Sequence, residues 1–156
     1  MKKTSLETGK HSWIQNMSII DYVNSGYAES NFMVRSLVNK RTDVLLRSDV
    51  EAAKQILSQK FLLGLSDKLS ESMDRIRLYF DWQIKDPSNV GEQKCKEQYL
   101  SEAHVDKHRL HHPPSVEGSE EWEVLKMKNW ADVALYEYSS EVLYNEQSSM
   151  FPSLGQ

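Results

Sequence analysis

Cysteine occurs once in the 156 residues, at Cys95, so no disulfide can close within the chain and no cysteine-based zinc centre can be assembled. Long apolar runs are missing too. Nothing approaches the roughly 18–20 apolar residues that a membrane-crossing helix needs. The opening MKKTSLETGK has the lysines of a secretory leader without an apolar core behind them. Glycine is sparse, and Gly26, Gly64 and Gly91 stand alone, so a Walker-type phosphate loop, a dinucleotide fingerprint and a G-x-S-x-G elbow are all absent. Charge of one sign is also scarce. A net charge of −4 gives no electrostatic case for a nucleic-acid partner, although a weakly acidic surface can hold a local basic site.

What is present suits one globular domain over residues 1–156: 39% of the residues are hydrophobic and 27% charged. As written, the chain is expected to be soluble, or a piece of something longer. Residues 1–12 and 148–156 read as loose tails. Trp13, Met17 and Ile20 have helical spacing, NSGYAESN reads as a turn around Gly26, and Phe32, Met33 and Leu37 suggest a short helix stopped near Asn39. Ser48-Asp49-Val50-Glu51 reads as a capping box, with Val50, Ala53, Ile56 and Leu57 as the apolar stripe behind it.

FLLGL, residues 61–65, carries no charge and is too short for a helix of its own. It fits a strand covered on both faces in a parallel sheet. Continuation of the preceding helix is the alternative, against which Gly64 and the following Ser-Asp argue. Ser66 or Asp67 can then cap a helix with Leu69, Met73, Ile76 and Phe80 on its core-facing side. Helix, strand and helix in that order are one unit of an α/β layer fold. Residues 83–118 read as a long loop, irregular enough to be either functional or without order, with a helical turn allowed at 95–103. Ser119 caps a last helical region and Asn129 a restart, with Ala131, Leu135, Tyr138 and Val142 on one face.

Candidate chemistry is thin. His104 and His108 are four apart and could grip a metal on a helix, but His111-His112 before two prolines is poor ligand geometry, and no metal is expected. Lys107, His108 and Arg109 make a short basic stretch suited to phosphate or sulfate; a solvated loop is the alternative. Arg35, Lys40 and Arg41 form a second such cluster with the same two readings. Trp122, Trp130, Tyr136 and Tyr138 could stack on a sugar, or serve as core.

The order of segments resembles the C-terminal half of Golgi-type carbohydrate sulfotransferases, particularly the uronyl 2-O-sulfotransferase branch and algal sulfotransferase-like proteins. The resemblance is carried by NFMVRSL, by AAKQILSQKFLLGLSDKLSESMDRIRLYFDW in the place of a strand and its helix, by DKHRLHHPPS as a variable basic loop, and by KNWADVALYEYSSEVLY as the closing helix. It spans roughly Ser18 to Tyr144 and implies part of a P-loop-like α/β fold, helix-rich, with few strands. It implies sulfuryl transfer from 3′-phosphoadenosine 5′-phosphosulfate to a hydroxyl of a polysaccharide or glycan acceptor, in the Golgi membrane. Lys107, His108 and Arg109 would approach the donor's phosphates, and Arg35 would have a substrate or structural role. No catalytic residue carries over. The family's Pro-Lys-x-Gly-[Ser/Thr] phosphosulfate loop, its 3′-phosphate Arg and Ser and its general base all belong upstream of the matched segments. The chain is therefore expected to be inactive alone. A non-catalytic helical interaction module is the alternative, and a homo-oligomer is compatible with either.

Overall fold

Helices follow one another along the chain in the computed structural model, which describes residues 17–82 and 116–151 together with Gly91 and Lys94. The first, α1, is Ile19–Asn24, capped by Ser18 Oγ, which accepts from the Asp21 amide at 3.0 Å. Gly26, at φ +81°, then makes the expected turn. Helix α2, Phe32–Val38, stops at Asn39 in the left-handed conformation, as a helix C-terminus commonly does. Helix α3, Arg47–Lys60, begins two residues earlier than the Ser48 reading places it. Leu46 is its N-cap residue, and Asp49, not Glu51, reaches back to accept from the Leu46 amide at 2.7 Å. A 3₁₀ turn, Ser66–Lys68, leads into α4, Leu69–Tyr79. Beyond it come α5, Glu120–Lys128, capped by Ser119 as expected, and α6, Trp130–Tyr138. A π-helical turn, Ser139–Leu143, joins α6 to α7, Tyr144–Gln147, and a 3₁₀ turn follows at Ser148–Met150.

The core lies where α2, α3 and α6 meet. Val34, Leu45, Val50, Ala53, Leu57, Ala131, Leu135 and Leu143 are buried together. Five of these residues, Val50, Ala53, Leu57, Ala131 and Leu135, come from stripes the sequence marks on α3 and α6. Val142 does not join them: it is exposed and Leu143 is buried. The π-helical turn adds a residue to one turn of helix, which moves the inward position on by one. The C-terminal segment, expected to be loose from residue 148, is held as far as Phe151, which is buried.

The fold is helix-rich, as expected, but FLLGL has no partner strand among the described residues. Its backbone is extended, φ −126° at Phe61 and −111° at Leu65. Side chains take the place of a neighbouring strand. The Gln147 amide accepts from Leu63 N at 2.9 Å and donates to Phe61 O at 2.8 Å. The Ser72 hydroxyl accepts from Leu65 N at 2.9 Å and donates to Leu65 O at 3.1 Å. Buried backbone groups need partners, and two polar side chains on α4 and α7 meet that need without a sheet.

Helix α4 corrects the sequence reading most. Its buried residues are Ser72 and Arg75, whereas Leu69, Met73 and Phe80 of the expected inward face are exposed. At about 100° per residue the apolar stripe lies roughly a quarter-turn around the axis from the buried pair. Polar demand decides the orientation: Ser72 must reach Leu65, and Arg75 must reach the end of the chain. The Arg75 guanidinium donates to Tyr144 O at 2.8 Å, pairs with Glu71 at 2.7 Å, and lies 3.6 Å from the centre of the Tyr144 ring.

Candidate functional site

Two helix beginnings meet at Asn31 and Asp132, and the cleft beside them is framed by that meeting. Asn31 sits at the N-cap of α2 in a left-handed backbone conformation, φ +54°, yet caps nothing on its own helix. Its Oδ1 accepts instead from Ala131 N at 2.8 Å and Asp132 N at 3.3 Å, the orphan amides of α6. Its Nδ2 donates to Lys128 O at 3.1 Å, at the end of α5. In return the Asp132 carboxylate accepts from Met33 N at 3.0 Å and Val34 N at 2.9 Å, the orphan amides of α2. Asn129 Oδ1 completes the exchange by accepting from Asn31 N at 3.0 Å. The sequence marks Asn129 as a cap residue; that Asn31 and Asp132 cap each other's helices is visible only in three dimensions.

This arrangement brings Lys128 beside α2 and the loop after it. A cleft of about 700 Å³ opens there, with Arg35, Arg41 and Lys128 along its walls and Glu29 as the one acidic residue among the described lining. Arg35 is anchored by backbone carbonyls. Its Nε donates to Ser30 O at 3.0 Å, and its Nη1 donates to Asp43 O at 2.9 Å and Lys40 O at 3.2 Å. The guanidinium therefore pins the loop that follows α2 while keeping its charge at the cleft. Arg41 and Lys128 form no ion pair among the described residues. Three cations against one carboxylate leave the described lining with a net charge of about +2, by counting side chains at neutral pH.

Of the basic trio expected around Arg35, the structure separates one member. Lys40 turns to Asp49, 2.8 Å from Oδ1. The Lys40 hydrogen bond, with that from the Leu46 amide, holds the Asp49 carboxyl below the usual carboxylate range despite its burial. Lys128 takes the place that Lys40 vacates. No sequence pattern announces this, because Lys128 lies 87 positions beyond Arg41 and meets it only through the exchange of caps. The other expected group, Lys107, His108 and Arg109, lies outside the described residues, as do His104, His111, His112 and Cys95. Among the described residues no set of His, Cys, Asp and Glu is placed to hold a metal ion, and no helix is long and apolar enough to cross a membrane.

Neither a family model, a curated protein nor a solved structure matches the chain.

Proposed function

We propose that the chain is a helical binding module that takes a sulfate or phosphate group of an anionic ligand between Arg35, Arg41 and Lys128. The observation that carries this reading is the convergence of three cations on one cleft, two of them without an ion pair among the described residues. Arginine suits such a group through its planar fork and lysine through its point charge. Arg35 is the residue to which the resemblance to carbohydrate sulfotransferases gives a substrate or structural role, and that resemblance selects the class of anion: a sulfated glycan, or the phosphates of 3′-phosphoadenosine 5′-phosphosulfate. The transfer reaction itself rests on the resemblance alone, and we assign no catalytic group.

The test is a titration by calorimetry with a sulfated disaccharide, its unsulfated counterpart and adenosine 3′,5′-bisphosphate. One of the two anions binds and the neutral sugar does not. Arg41→Ala and Lys128→Ala each weaken binding about tenfold, the loss expected for one charge-assisted hydrogen bond. Equal binding of the neutral sugar, or unchanged affinity in both variants, would remove the cleft from consideration.

A further inference from the structure

On the other side of Asp132, α5 and α6 enclose a second cleft, of about 510 Å³, whose character is opposite to the first. Trp122 from α5 and Tyr136 from α6 line it, together with Glu117, Asp132 and Glu137 against the single ammonium of Lys126. Three carboxylates and one cation leave about two net negative charges on the described lining at neutral pH.

Other tyrosine rings in the molecule already carry cations of the chain itself. Tyr144 is covered by two internal cations, Arg75 at 3.6 Å and Lys68 at 4.9 Å from the ring centre, and Tyr138 has Lys54 at 5.4 Å. Trp122 and Tyr136 have neither a cation nor a stacked ring over them among the described residues. Tyr136 is 56% exposed. Two aromatic side chains on different helices, half-buried Trp122 and exposed Tyr136, line a cleft of negative charge and form the complement of a cation with an apolar body. Ring quadrupoles attract such a cation, and the carboxylates around them add a Coulomb term that a neutral ligand does not feel.

We infer that the cleft between Trp122 and Tyr136 is a binding site for an alkylated ammonium group. The group can belong to a free amine or to a methylated lysine side chain; the chemistry that recognises it is the same. This site is independent of the anion cleft, and each can fail without the other.

Choline is the probe, followed through the Trp122 indole N–H by NMR, with 3,3-dimethylbutanol as an uncharged molecule of the same shape. Choline shifts the resonance saturably, and the alcohol binds at least tenfold more weakly. Tyr136→Ala, an exposed position that leaves the fold intact, weakens choline binding about tenfold, and Glu137→Gln weakens it several-fold. A trimethyl-lysine peptide that binds over tenfold more tightly than choline assigns the site to a side chain; equal affinity assigns it to a free amine. Equal shifts with the alcohol, or choline binding that survives both Tyr136→Ala, read at the Trp122 indole, and Trp122→Ala, read at the backbone amides of α6 in folded protein, would overturn the inference.

Discussion

Asn31 and Asp132 each cap the helix to which the other belongs: Asn31 Oδ1 accepts from Ala131 N at 2.8 Å, and the Asp132 carboxylate accepts from Val34 N at 2.9 Å. Two helix starts are satisfied by residues about a hundred positions away. The pair fixes α2 against α6 and, through Lys128 O, fixes the end of α5 as well.

Breaking either side should therefore be expensive. A lost cap is worth about 0.5–2 kcal/mol. Asn31 is also buried and serves three groups, so Asn31→Ala should destabilise by about 2–3 kcal/mol in urea unfolding. Asp132→Ala should lose about 1–2 kcal/mol, and the double variant less than the sum of the two. Strict additivity would show that the two caps act independently.

Helix α4 offers a test of its rotated orientation. Met73 belongs to the apolar stripe but is 45% exposed, so Met73→Gln should change stability by under about 0.5 kcal/mol. Arg75 is 2% exposed, and Arg75→Ala should cost about 3 kcal/mol, since Tyr144 O loses its guanidinium donor, the Tyr144 ring loses the nearer of its two cations, and Glu71 loses its ion-pair partner. Arg75→Lys should recover little of this, because an ammonium cannot stack flat on the ring and fork to two acceptors. A large loss at Met73 with a small one at Arg75 would restore the conventional inward face.

Gln147 acts for the extended segment as a neighbouring strand would. Gln147→Leu keeps the volume and strands Leu63 N and Phe61 O, at a cost of about 1–3 kcal/mol. Hydrogen exchange gives the local check: the Leu63 amide should lose protection in the variant while the α3 amides keep theirs at matched stability. An unaltered Leu63 exchange rate would mean that the glutamine is dispensable.

Asp49 should make acid stability legible. Its folded-state pKa lies below the unfolded value, held there by Lys40 and the Leu46 amide. The stabilisation is thus complete above the unfolded pKa and disappears as pH falls through the folded one. In thermal melts Asp49→Asn should lie below the parent at pH 7, and the gap should close as pH drops below about 4. A gap that stays constant down to pH 2 would remove the carboxylate from the acid response.

Local periodicity reveals α3, the break at Gly26, the stop at Asn39, the cap at Ser119 and the restart at Asn129, although the side chain that caps α6 is that of Asn31. Each depends on neighbours within a few residues. The stripe on α4 misled because spacing records where apolar residues lie and says nothing of what Ser72 and Arg75 must reach. FLLGL was recognisable as extended and uncharged; that Gln147 would complete its hydrogen bonds had no local trace. The basic cleft is half legible. Arg35 and Arg41 stand close in sequence, while Lys128 arrives through an exchange of caps that no window of the sequence contains.

The π-helical turn at Ser139–Leu143 makes the number of residues there matter as much as their identity. Removing one would leave a more regular helix, and every side chain after it would swing back by about 100°. Tyr144 would turn from Arg75, and Gln147 from the extended segment it completes. Substitutions at exposed Glu141 or Val142 should pass unnoticed; a single-residue deletion beside them should undo the packing of residues 144–151.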